Sequence, residues 1–237
     1  VVAGFAVGVA LVSGLSFVPL TATRKIYLLA LAAPALGLGI DFVVKSGRTL
    51  ALAVAIAFGA LSVWVFWSVL LRMPVGDAVL IGGGSFLFVG WIVATTLTLS
   101  AQSVRAGSAA LTLGLGVGVT AVLGASASLG FHGVSLAAGA GGFLLWQMLT
   151  GRRIAAGVTL ALSASVAASL VAVAAVVLAQ VPWYSLIVLA LIPLAVRLPA
   201  SDRLPVWAQA IIVSIYGIAA ASLAIVLTWR ATSAPSG

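Results

Sequence analysis

The amino-acid sequence predicts an all-α fold, a polytopic integral membrane helical bundle of about nine transmembrane helices (eight to nine) in one domain, residues 1–237. Three observations predict it. Of the 237 residues, 64% are hydrophobic and 6% charged, whereas a soluble domain carries about 25% charged residues. The apolar residues come in runs close to the roughly 20 that a helix needs to cross a hydrocarbon core about 30 Å thick. The runs follow one another almost back to back, separated by single or paired basic residues and by Gly or Pro.

The first run, 2–20, is too long for a signal peptide and lacks a charged start and a small-residue cleavage site. The second, 26–44, opens after Arg24-Lys25, carries Pro34, Gly37 and Gly39, and ends at Asp41 and Lys45. The third, 49–71, closes with Trp64, Trp67 and Arg72, placing amphipathic rings at the headgroup level they prefer. The fourth, 78–100, follows Asp77, which reads as its N-cap. Its Trp91 sits mid-span and is expected to face protein or a cavity rather than lipid. The fifth and sixth, 107–129 and 133–150, are divided only by "GFHG" at 130–133, and Trp146 marks the end of the sixth. The seventh, 154–180, follows Arg152-Arg153. The eighth, 183–198, is short and carries Trp183 and Pro193. The ninth, 206–229, follows the turn "PASDRLP", which holds Asp202, and is bounded by Trp207 and Trp229.

The net charge of +8 is spread over the breaks between runs, where it acts as a topology signal and not as a nucleic-acid surface. The breaks after the even-numbered spans hold Lys45, Arg48, Arg105, Arg152, Arg153, Arg197 and Arg203. The other side holds Arg24, Lys25, Arg72 and Arg230. This asymmetry predicts an inner-membrane protein with its N-terminus in the cytoplasm and its C-terminus outside.

With one histidine, no cysteine and no glutamate, the chain lacks the ligands for a bis-histidine haem, a zinc protease helix or a paired-carboxylate site. No enzyme activity, metal or cofactor is expected. His132, placed by "GFHG" in a turn, reads as a solvated or capping residue, with pigment or metal ligation and pH sensing as alternatives. The glycine runs at 82–84, 114–119 and 137–142 read as packing surfaces. Gly114 with Gly118, and Gly124 with Ser128, are spaced by four and would lie on one helix face each, letting a second backbone approach closely. A phosphate-cradling loop does not fit them, since no Lys-Ser/Thr follows. Thr95 and Thr96 in the fourth span and Thr159 and Ser163 in the seventh could line a polar path, although such hydroxyls often bond a carbonyl of their own helix instead.

Asp41 is the acid without a simple role. It occupies the last turn of its span, where the helix dipole disfavours negative charge. An ion pair with Lys45, four residues on, with Arg48 one turn beyond, is one account. The other starts from Pro34, Gly37 and Gly39, which would let the helix bend just before Asp41 and make the acid a gate latch or protonation site. An aspartate ahead of Gly47-Arg48 resembles the loop after the second helix of major facilitator transporters. That motif sets its acid closer to the glycine than Asp41 is to Gly47, and the short connection between spans six and seven departs from that family too, so membership is not implied. The function expected is a small-solute or ion permease working by helix gating. The alternative is a non-catalytic structural subunit or assembly factor of a larger membrane complex. The partners expected are the lipid bilayer and, for the alternative, other membrane subunits.

Overall fold

Lipid offers no hydrogen bonds, so a chain that enters it must satisfy its backbone internally, and helices do so within one segment. The computed structural model describes residues 2–13, 21–43, 47–179, 181–201 and 203–233, and every regular element among them is helical. In order these are α1 (Val2–Ser13), α2 (Ala22–Val43), α3 (Arg48–Leu70), α4 (Val75–Leu97), α5 (Ser103–Leu123), α6 (Ala127–Thr150), α7 (Gly157–Leu178), α8 (Tyr184–Leu189), α9 (Ile192–Ala195) and α10 (Val206–Ser233). Seven of them, α2 to α7 and α10, are long and apolar enough to cross a membrane. The chain is therefore an all-α polytopic helical bundle. The first expected span is described only to Ser13, and the eighth is realised as two short helices, α8 and α9.

Helix α7 forms the centre, with 83% of its most apolar window buried, and packs against α2, α4 and α5. Helix α5 is clasped between α6 and α10, α3 pairs with α4, and α1 lies on α6. Helices α5 and α6 approach closely. A Cβ on Gly114 would stand 2.7 Å from the Ala137 nitrogen, and one on Gly118 would stand 2.9 Å from the Val134 nitrogen. Only glycine permits backbones this close.

This packing corrects two expectations. The turn between the fifth and sixth spans lies at Gly124–Ser126, around Ala125 with φ 66°, and "GFHG" lies inside α6. Gly130 and Gly133 serve close packing, since a Cβ on Gly133 would lie 2.5 Å from Gly118 Cα. Glycine spacing alone does not distinguish a turn from a helix crossing. Consequently Gly124, which follows α5, and Ser128, in the first turn of α6, do not share a helix face. The position Gly124 holds is instead packed against Val181.

Contacts between helix ends give the threading. One end of the bundle gathers the C-terminal ends of α2, α4, α6 and α9 with the starts of α3, α5, α7 and α10. Asp41 there bonds Thr159, Arg197 bonds Thr95, Ser103 bonds Gln147, and Arg153 bonds Gln209. The opposite end joins Lys25 to the Trp64 carbonyl and Ser185 to Thr228. Arg48, Arg105, Arg152, Arg153, Arg197 and Arg203 all fall at the first, basic end.

The break between α8 and α9 occurs within apolar depth and has its own partner. Pro193 carries no N–H, and the Leu194 N–H bonds Leu191, so the Ala190 carbonyl receives no helical donor from residue 194. The Trp91 indole supplies one, its Nε1–H reaching Ala190 O at 3.0 Å. Trp91 thus faces protein with its polar edge, while 45% of the residue remains exposed.

Candidate functional site

The basic end contains Asp41, and the local sequences of α2 and α7 explain its position. Gly37 brings α2 against the start of α7, where a Cβ would lie 2.6 Å from Thr159 Cα. One turn later Asp41 reaches over the first residues of α7. Its Oδ1 accepts from the Val158 N–H at 2.8 Å, and its Oδ2 accepts from the Thr159 N–H at 3.0 Å and the Thr159 hydroxyl at 2.7 Å. The N-cap position of α7 is Ala156, which has no side-chain cap to offer. Asp41 therefore acts as the cap from another helix, and its charge faces the positive end of the α7 dipole. Gly157 completes the junction with φ 64°, and a Cβ there would stand 2.6 Å from Asp41 Oδ2.

The expected Lys45 partner lies outside the described residues, as does Asp202. The unfavourable position of Asp41 at the end of its own helix is offset by the start of α7. A signal for this was present in "RRIAAGVT", a helix start with no Ser, Thr, Asp or Asn at its N-cap.

Beside this junction a cleft of about 570 Å³ opens between α2, the start of α3, the end of α4 and the residues after α9. Arg48, Thr98, Ser100 and Arg197 supply its polar lining, and Ile40, Ala51, Val54 and Val158 its apolar walls. Arg197 is braced, with one terminal nitrogen donating to Thr95 O at 2.9 Å and also to the Thr98 hydroxyl. Its carbonyl accepts from Arg105 at 2.7 Å. A second cleft, also about 570 Å³, lies across the α4–α5 connection between the starts of α5 and α10 and the α6–α7 connection. No carboxylate lines either cleft among the described residues.

Compared with known proteins, the chain matches no family model and no curated sequence.

The remaining expected residues are dispersed. Arg48 lines the first cleft, while Pro34 sits within α2 seven residues before Asp41. Thr159 is at the Asp41 junction. The Thr95 hydroxyl bonds the Trp91 carbonyl and the Ser163 hydroxyl the Thr159 carbonyl, both at 2.6 Å on their own helices. Thr96 is buried with its hydroxyl unpartnered among the described residues.

His132 is not the exposed turn residue expected from "GFHG". It is buried in α6, stacked on Tyr27 with ring centroids 4.9 Å apart and set 5.9 Å from Phe5. Its Nδ1–H donates to the Ser128 carbonyl, and Nε2 has no partner among the described residues. Among those residues no group of three or more His, Cys, Asp or Glu could hold a metal ion. Asp77, expected as an N-cap, lies in the first turn of α4, whose N-cap position is Pro74. There its charge still complements the dipole.

The sequence pointed to Arg48 but gave no sign that Arg197 and Thr98, 99 positions apart, would meet. Only the packing of α9 against α4 brings them together.

Proposed function

We propose that the chain is a multi-pass inner-membrane permease for a small anionic solute, with its basic end in the cytoplasm. The observation that carries this reading is the cleft at that end, lined by Arg48, Arg197 and two hydroxyl residues, with no carboxylate in that lining among the described residues. Short-range attraction to two guanidinium groups concentrates anions at such a mouth, and the fixed donors replace part of the lost hydration. The apolar walls contributed by Ala51 and Val54 extend the cleft into the membrane-spanning part of α3.

Two units flank the cleft. The Asp41 junction and Gly37 hold α2 and α7 together, and α3 and α4 form a packed hairpin. Pro34 deprives the Ala30 carbonyl of its helical donor, so α2 can bend above the junction while the junction stays closed. In this reading Asp41 is a clamp between α2 and α7, and the gate is the parting of α2 from α3, which touch little, while α7 stays packed on α4. No covalent chemistry is assigned to the chain.

The second reading, a non-catalytic subunit or assembly factor, is favoured by α7. The hydroxyls of Ser163, Ser165 and Ser169 bond carbonyls of their own helix, an arrangement suited to a packed scaffold. Uptake of labelled phosphate, sulfate and small carboxylates into proteoliposomes separates the two. The permease reading expects flux that falls in Arg48→Gln and Arg197→Gln. Flux no greater than in protein-free vesicles for every anion would favour the subunit reading.

A further inference from the structure

We infer that the second cleft at the basic end is a binding site for a phosphate group, carried by an anionic lipid headgroup or free in solution. The inference does not require the transport reading, because the arginines that carry it, Arg105 and Arg153, are not those lining the first cleft, and it requires no movement.

The argument rests on an excess of donors. Arg105 and Arg153 both line the cleft, each holding one terminal nitrogen on the protein: Arg105 on the Arg197 carbonyl at 2.7 Å and Arg153 on Gln209 Oε1 at 3.0 Å. A guanidinium has five N–H donors in a rigid fork, so each retains donors while its position is held. Gln209, 6% exposed, is itself anchored through its amide nitrogen to the Ser201 carbonyl at 2.9 Å. The wall is therefore built before any ligand arrives.

Nothing in the described wall neutralises these donors. No carboxylate lines it among the described residues. Helix α5 begins in the same cleft, and Gln102 at its N-cap position makes no side-chain cap bond, so its first-turn N–H groups lack a side-chain acceptor. Ser103, 7% exposed, turns its hydroxyl inward to Gln147 Oε1 at 3.0 Å. Behind it the Gln147 amide nitrogen is fully buried and has no acceptor among the described residues. Two cations and a helix start without a side-chain cap share one small region with no acidic acceptor among the described residues. An anion with several oxygens in tetrahedral array satisfies more of these donors than a monoatomic ion, since each guanidinium can bond two oxygens at once.

The depth of the site also fits this ligand. Its residues are at the ends of membrane-crossing helices, the level of lipid phosphates, and basic side chains there attract anionic headgroups.

The test uses the purified full chain in detergent, with phosphatidylglycerol and phosphatidylcholine as lipid probes and inorganic phosphate as the soluble one, read by native mass spectrometry and by melting temperature. Wild type should retain phosphatidylglycerol over phosphatidylcholine, and Arg105→Gln/Arg153→Gln should bind it at least about tenfold more weakly. Arg72→Gln, at the opposite end, should bind as wild type does. Arg105→Lys/Arg153→Lys, which keeps charge but loses the fork, should fall between, and guards against a glutamine variant that misfolds. Displacement of phosphatidylglycerol by millimolar phosphate would assign the site to the soluble anion, and persistence of the lipid to the headgroup. Equal affinity of wild type and both double variants for both phosphate probes would overturn the inference.

Discussion

The Asp41 junction permits a quantitative test, because two residues 116 positions apart meet at one carboxylate. Asp41→Ala removes the acceptor of two backbone N–H groups and one hydroxyl at the start of α7. Loss of a capping side chain costs about 0.5–2 kcal/mol. Asp41 is exposed, so water replaces part of what is lost, and about 1.5 kcal/mol is expected. Gly157→Ala has two effects. It places a Cβ in a left-handed conformation, at about 1.5 kcal/mol, and it drives that Cβ to 2.6 Å from the Asp41 carboxylate, displacing the cap. Together these amount to about 3 kcal/mol. In the double variant the cap is already absent, so the total stays at about 3 kcal/mol instead of the additive value of about 4.5. Denaturation in mixed detergent micelles, followed by circular dichroism, measures all three variants. Additive losses would refute the reasoning, since they would mean that Gly157 and Asp41 do not share a contact.

Other consequences can be measured in the same way. Gly118→Leu should destabilise the bundle by about 3 kcal/mol or more, by forcing α5 from α6, whereas Gly83→Leu, which has open space beside it, should be neutral or slightly stabilising. Trp91→Phe should lose about 1–2 kcal/mol, because the Ala190 carbonyl at the α8–α9 break then has no donor within apolar surroundings. A reporter inserted at Gly151 should be found in the cytoplasm and one fused after Gly237 outside. A cytoplasmic C-terminal reporter would contradict the assigned threading.

The helical character and the order of the long helices were legible because bilayer thickness imposes a length on every apolar run, and all seven long helices coincide with expected spans, although about nine were expected. What the sequence did not disclose were relations between distant segments. "GFHG" carries the composition of a turn, yet its glycines make room for Gly114 and Gly118 of α5, and that purpose is visible only when α5 is beside α6. Asp41 drew attention as an acid out of place, but local periodicity could offer only Lys45 or Arg48 as partners, and the group that it caps lies 117 residues away. The arginines of the clefts, expected on one side of the membrane, do lie at one end of the bundle. Their grouping into two separate sites depends on how α9 and α10 return to the starts of α3 and α5.

The central claim, that the cleft between α2 and the α3–α4 hairpin is the mouth of a solute path, is tested most directly by a single cysteine at its floor. The chain has no cysteine of its own, so Val54→Cys provides one reporter without background. In membrane vesicles of known orientation, its reaction with a membrane-impermeant maleimide is measured from each face. A path that opens to each side in turn predicts labelling from the cytoplasmic face and, more slowly, from the outer face, with Ala51→Cys behaving alike. Labelling from the cytoplasmic face alone, at a rate unaffected by any of the candidate anions, would contradict the account and leave the cleft as a surface feature of a static bundle.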